Sequence, residues 1–151
     1  MKIALLGYGK MGKAIETIAL ERGHEIVARI NSQVNLKEVN WSEADVCIEF
    51  TRPELAPKHI AYCAQMQLPI VVGTTAWQDA LPEVTEVVKK AESALLYASN
   101  FSVGVNLFFE LNRQLAQLMK AHNEYQIQVS ETHHVQKLDA PSGTAVSLLQ
   151  D

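Results

Sequence analysis

The sequence predicts an α/β protein: a doubly wound parallel sheet over residues 1–102, followed by the start of an α+β unit over residues 103–151. Three observations carry this. Short apolar runs alternate with helical patterns through the first segment, the rhythm of βαβ units. The first of those runs feeds straight into Gly7-Tyr-Gly-Lys-Met-Gly12. After Ser102 the rhythm gives way to one long helical pattern and one polar–apolar alternation.

The elements follow in order. Ile3 to Leu6 reads as the first strand, and Met11 to Glu21 as a helix with Met11, Ile15, Ile18 and Ala19 on one face. Glu25 to Ile30 is the second strand and Val46 to Glu49 the third. Thr51-Arg-Pro-Glu54 joins a threonine cap, an early proline and a glutamate three residues after the cap, so a helix is predicted from there to Gln67. Pro69 to Val72 is the fourth strand, Pro82 to Ala91 a helix, and Ala94 to Ala98 the fifth strand.

Val103 to Ala121 then reads as a long helix carrying Val105, Phe108, Phe109, Leu111, Leu115 and Leu118. Tyr125 to Thr132 alternates as a strand with one solvated face does. Ser142-Gly-Thr144 opens a further helix, and the chain stops at Asp151 within a turn or two of it. One strand and a half-built helix make no second core. The expectation is that partners complete it or that the chain is truncated.

Composition narrows the class. With 48% apolar and 20% charged residues, the 151-residue chain has the balance of a soluble globular protein. A net charge of −4 and the lack of any basic run argue against nucleic acid. Cys47 and Cys63 form neither a CxxC pair nor a metal spacing, so the reading is reduced, buried thiols in a cytoplasmic protein with no bound metal. The N-terminal apolar run is too short for a signal peptide or a membrane span.

Gly7-x-Gly9-x-x-Gly12 after a strand and before a helix is the dinucleotide-binding pattern. Gly7 allows the tight turn, Gly9 the close approach of a pyrophosphate, and Gly12 tight helix-on-strand packing. Amides at the helix start then face the phosphates. The acid that commonly binds a ribose 2′-hydroxyl is replaced by Asn31, which sets no negative charge against a 2′-phosphate. Arg29, Ser32 and Lys37 lie close enough in sequence to help with one, or are plain surface residues. The cofactor expected is NADH or NADPH, with a lean to NADPH or dual use.

In open parallel sheets, ligands bind beyond the carboxyl ends of the strands. Three such ends carry small polar groups: Phe50-Thr51-Arg52, Gly73-Thr74-Thr75 and Ser99-Asn100-Phe101-Ser102. Thr51 and Ser102 are read as helix caps. Gly73-Thr-Thr75 has no capping duty and is left for a ligand.

Further on, Glu131-Thr-His-His-Val-Gln-Lys-Leu-Asp-Ala-Pro-Ser-Gly-Thr-Ala145 gathers proton donors, a cation and bare backbone amides. Histidine passes protons most readily near neutral pH. On an extended segment the adjacent His133 and His134 point to opposite sides, so one suits proton transfer and the other substrate. Lys137 supplies a charge for a carboxylate, and Ser142-Gly143-Thr144 a helix start with free amides. His24, His59 and His122 lack such company and are read as surface residues.

These blocks, in this order, resemble the bacterial 4-hydroxy-tetrahydrodipicolinate reductase (dihydrodipicolinate reductase) family. The resemblance rests on Gly7–Gly12, Phe50-Thr-Arg-Pro-Glu54, Gly73-Thr-Thr75, Asn100-Phe-Ser-Val-Gly-Val-Asn106, Glu131-Thr-His-His134 and Lys137 to Ala145. It implies a Rossmann-type cofactor domain, a substrate domain and a homotetramer. It also implies hydride transfer from NADH or NADPH to a cyclic dicarboxylate in lysine and diaminopimelate synthesis. Carried over by position, His133 is the proton donor and, with Lys137, makes up the catalytic pair. His134, Lys137, Ser142, Gly143, Thr144 and Thr75 hold the substrate carboxylates. Gly7, Gly9, Lys10, Met11 and Gly12 carry the pyrophosphate. Asn31, Phe50, Gly73, Thr74, Thr75, Ser99, Asn100 and Phe101 complete the cofactor site.

The chain departs from the family at Val135 and Gln136, where Arg and His are common, and at Ala76, where glycine often follows the two threonines. The family is also longer. Two rival readings stay open: another Rossmann-type amino-acid or diaminopimelate dehydrogenase, and a non-catalytic dinucleotide-binding module.

Overall fold

The computed structural model describes residues 1–135 and 140–150. They form two compact units, Met1–Ala98 and Ser99–Asp151.

The first unit is a five-stranded sheet in the order β2-β1-β3-β4-β5, with β1 Lys2–Leu6, β2 Glu25–Ile30, β3 Val46–Glu49, β4 Ile70–Val72 and β5 Leu95–Tyr97. Every pairing is parallel. Leu6 pairs with Ile30 on one side and Glu49 on the other, and Glu49 pairs with Val72. The first four strands therefore end level, and the residues that follow them emerge along one edge. The strand order reverses between β1 and β3, which makes that edge a topological switch point.

Both faces of the sheet are covered, as the nearly all apolar strands require. Ala4, Leu6, Cys47, Ile60, Cys63, Ile70 and Val72 form the larger core. Ile3, Leu5, Ala19 and Ile26 form the smaller one on the other face. Each buried leucine or isoleucine side chain contributes about 1.5–3 kcal/mol. Both cysteines are free and buried. The neighbouring Cys63 thiol and burial push the Cys47 thiol well above its ordinary range, which keeps it protonated.

Helix α1, Lys10–Glu21, packs through Gly12, Ile15 and Ala19. Met11 and Ile18, expected on the same face, are about half exposed at 50% and 48%. Gly12 and Ala19 are small, and the helix comes closest to the sheet along their line, leaving those two larger side chains on its flanks.

Helix α2 runs Ala56–Gln65, not from Thr51. Thr51 spends its hydroxyl on Glu49 and its N–H on Thr74 Oγ1, 2.8 Å away, so it does not cap. Residues 52–55 instead form a turn, closed by Leu55 N–H to the Arg52 carbonyl at 2.9 Å. Helix α3 is Leu81–Lys90.

In the second unit, α4 spans Val103–Met119 and is capped by Ser102, whose hydroxyl accepts from Val105 N–H at 3.4 Å. None of its residues is fully buried. Helix α5, Gly143–Leu149, is capped by Ser142 and tied to α4 by Asn112 Nδ2 donating to the Leu148 carbonyl at 3.0 Å. The strand expected over Tyr125 to Thr132 is absent: the segment is irregular and joins no ladder among the described residues. Alternation alone does not make a strand; the N–H and C=O groups need a neighbour. Ile127 and Val129 instead line an apolar cleft with Leu115, Met119, Leu148 and Leu149.

Candidate functional site

In the first unit the glycine loop is shaped by two steric necessities. Gly7 has φ +94°, and a Cβ there would meet the Phe50 carbonyl oxygen at 1.9 Å. A Cβ on Gly12 would meet the Gly7 carbonyl oxygen at 2.3 Å. Only glycine fits at either position. Gly9, the N-cap of α1, differs: a Cβ there has nothing within 4 Å. Space is thus held open above the loop rather than filled by the protein.

Two clefts of about 400 Å³ each flank this point. The first, towards β2, is lined by Gly7, Gly9, Asn31, Ser32, Thr51 and His59, among others. The second, towards β4, is lined by Lys10, Met11, Phe50, Gly73, Thr74 and Thr75 together with Gly9 and Thr51. They share Gly9 and Thr51, so one groove runs across the strand ends at the switch point. A Cβ on Gly73 would strike the Phe50 ring at 2.1 Å, so Gly73 is where the ring seats. Thr74 is buried and its hydroxyl accepts from Thr51 N–H, while its carbonyl accepts from Trp77 Nε1 at 2.7 Å. Ala76, next to Thr75, adopts φ +61°.

Of the three residues considered for a 2′-phosphate, only Ser32 lines the β2-side cleft. Arg29 directs Nε, at 2.8 Å, and a terminal nitrogen onto Glu16. Hydrogen bonds from Arg29 and Tyr8 hold the Glu16 carboxyl below its ordinary range. Asn31 accepts Gln33 N–H at 2.9 Å through Oδ1.

Beneath Thr51 lies a cluster that sequence reasoning missed. Glu49 is fully buried, and its Oε1 sits 3.2 Å from His59 Nδ1 and accepts the Thr51 hydroxyl. His59 is 8% exposed, which corrects its reading as a surface residue. Position 59 falls on the buried stripe Ala56, Ile60, Cys63 and Ala64 of α2, a spacing visible in the sequence.

In the second unit, one carboxylate organises the histidine segment. Glu131 Oε1 accepts Ser142 N–H at 2.9 Å. Its Oε2 accepts the Ser142 hydroxyl at 2.6 Å and lies 2.9 Å from His133 Nε2. Hydrogen bonds from Ser142 and then His133 hold the Glu131 carboxyl down at about 2. Ser142 is buried, while Gly143 and Thr144 are half-buried. His134 is exposed. Ser99, Asn100 and Phe101 precede α4, where Asn100 Oδ1 accepts Ser102 N–H at 2.8 Å. Lys137 and Gln136 lie outside the described residues.

A parallel sheet with a glycine loop at its switch point and a groove across the strand ends defines a dinucleotide-binding protein of the Rossmann type. Sequence comparison narrows this. Profiles described as dihydrodipicolinate reductase, N-terminus, and dihydrodipicolinate reductase, C-terminus, match residues 1–101 and 104–151. The chain belongs to the dihydrodipicolinate reductase family.

Its relatives include the 4-hydroxy-tetrahydrodipicolinate reductase of Christiangramia forsetii, 48% identical over 99% of this chain and 63% of that protein. That of Rickettsia rickettsii is 36% identical over 94% of this chain and 59% of that protein. Among solved structures, dipicolinate-bound dihydrodipicolinate reductase from Paenisporosarcina sp. TG-14 superposes with a TM-score of 0.73. The match is at 26% identity, over 99% of this chain and 64% of that one. The chain thus spans less than two thirds of the length of these relatives. Aspartate dehydrogenase from Thermotoga maritima, 15% identical with a TM-score of 0.53 over 75% of this chain and 52% of that one, shares the fold.

Proposed function

We propose that this chain carries the cofactor unit and catalytic segment of an NAD(P)H-dependent reductase acting on 4-hydroxy-tetrahydrodipicolinate in diaminopimelate and lysine synthesis. The observation that carries the reading is the groove at the switch point, beside a loop that needs glycine at positions 7 and 12 and leaves open space at Gly9. Amides of Gly9 to Gly12 at the start of α1 suit a pyrophosphate. The β2-side cleft, with Asn31 and Ser32, takes the adenosine half. The β4-side cleft takes the nicotinamide against Phe50, Gly73, Thr74 and Thr75, and Ser99, Asn100 and Phe101 belong to the same assignment.

A dihydronicotinamide bound there supplies a hydride. The protein orients it and furnishes the proton, which is assigned to His133. Lys137, His134, Ser142, Gly143, Thr144 and Thr75 are assigned to the substrate carboxylates, with Lys137 and the helix start making charge-assisted contacts. A small dicarboxylate substrate is supported by the dipicolinate carried by the Paenisporosarcina relative. A homotetramer and a cytoplasmic location go with this reading.

No carboxylate lines the β2-side cleft among the described residues. Nothing there repels a 2′-phosphate, which favours NADPH or dual use. Fluorescence titration of the chain with both nucleotides tests this. Binding of NADPH at least as tight as NADH is expected; failure to bind either would overturn the assignment. Changing His133 to Asn should lower turnover of 4-hydroxy-tetrahydrodipicolinate at least ~100-fold without altering nucleotide affinity.

A further inference from the structure

We infer that Glu131 is a positioning residue that locks the His133 ring in its Nε2–H tautomer, so that Nδ1 is the nitrogen that passes the proton. The inference rests on the assignment of His133 as proton donor.

An ionised carboxylate only accepts hydrogen bonds. Glu131 accepts from Ser142 N–H at 2.9 Å, from the Ser142 hydroxyl at 2.6 Å, and lies 2.9 Å from His133 Nε2. Its carboxyl is held at about 2, so it stays ionised through the neutral range. A nitrogen at that distance from an ionised oxygen must carry its proton towards it. In the neutral ring, Nδ1 is then the bare, accepting nitrogen. Nδ1 has no hydrogen-bonding partner among the described residues. The second proton of the ring therefore enters and leaves at Nδ1, while Nε2–H stays on the carboxylate.

The carboxylate itself is held in place from the other side. Two donors from Ser142, one backbone and one hydroxyl, seat it at the first residue before α5, and the same hydroxyl accepts Ala145 N–H at 3.0 Å. The start of α5 thus sets the orientation of a histidine nine residues upstream in sequence (142 − 133). A carboxylate orienting an imidazole in this way fixes which tautomer is present.

The geometry makes Glu131→Gln unusually diagnostic. Ser142 N–H is a backbone donor and cannot reverse. It requires the glutamine carbonyl at the Oε1 position, which puts the amide NH2 at the Oε2 position facing His133 Nε2. Two donors cannot share that contact, so Nε2 must accept and the ring proton moves to Nδ1.

The test is long-range proton–nitrogen NMR of the whole chain with ¹⁵N-labelled histidine, at alkaline pH where imidazoles are neutral, with His133→Asn identifying the signal. The parent chain is expected to show the Nε2–H pattern at His133, and Glu131→Gln the Nδ1–H pattern, with the other histidines unchanged. An Nδ1–H or averaged ring at His133 in the parent overturns the inference. An unshifted Nε2–H pattern in folded Glu131→Gln overturns it as well. The donor assignment fails by a different result: His133→Asn turning over substrate as the parent does.

Discussion

The Glu49 carboxylate is wholly buried at the end of β3, with His59 Nδ1 3.2 Å from its Oε1, and its Oε2 has no hydrogen-bond partner among the described residues. Thr51 donates its hydroxyl to the same Oε1, which ties the turn after β3 to this pair. A buried carboxylate with one oxygen already unsatisfied tolerates no further loss of donors. His59→Leu should therefore destabilise the chain by about 3 kcal/mol, and Glu49→Leu combined with His59→Leu by much less than the sum of the single changes. Urea unfolding of the three variants measures this. Additive losses would show that the pair is not coupled.

The glycine loop separates folding from binding. Gly7→Ala places a methyl group 1.9 Å from the Phe50 carbonyl oxygen at φ +94° and should cost about 3 kcal/mol or more. Gly9→Ala meets nothing within 4 Å and should cost about 1 kcal/mol or less, yet its methyl group enters the space given to the pyrophosphate. At least a ~10-fold rise in the nucleotide Kd, about 1.4 kcal/mol, is expected for Gly9→Ala in a chain that melts nearly as the parent does. Equal affinity would remove the phosphates from this loop.

The sheet was legible because β1 to β4 are short, nearly all apolar runs separated by helix-length segments, and because strand, glycine loop and helix occur in immediate succession. What failed did so for identifiable reasons. Thr51 looks like a cap, but it faces Glu49 and Thr74, partners that only the sheet brings near. His59 sits on the apolar stripe of α2, and its burial follows from a carboxylate on another element. Met11 and Ile18 share the helical period with Ala19, yet the packing line is set by the small side chains. Tyr125 to Thr132 has a strand's alternation but no ladder partner among the described residues. In the histidine segment, residue types pointed to proton transfer, while the role of Glu131 depends on Ser142 folding back eleven residues to meet it.

Ala76 marks a stored cost beside the site. Its φ of +61° lies in the left-handed region, where a side chain costs about 1–2 kcal/mol that glycine does not incur. It follows Thr74 and Thr75, which line the β4-side cleft. Ala76→Gly should stabilise the chain by about 0.5–1 kcal/mol, after the added freedom of the unfolded chain offsets part of the gain. Thermal unfolding reads this directly, and a lower Tm for the glycine variant would show that the strain is relieved elsewhere.

Glu131 sets an acid limit on the second unit. Its carboxyl titrates at about 2 in the folded chain against an ordinary 4.5, because Ser142 and His133 hydrogen-bond the ionised form. A depressed folded value means that the ionised form is favoured by folding. The stabilisation is therefore complete above 4.5 and is lost as the pH falls from there towards 2. In Glu131→Gln that dependence disappears, so the gap in Tm between parent and variant should be widest near neutral pH and close as the pH falls to ~2. The carboxyl carbon signal of Glu131, followed by NMR, should show its midpoint well below the ordinary range. A midpoint within about half a unit of the usual carboxylate value would mean that Ser142 does not hold the carboxylate in solution.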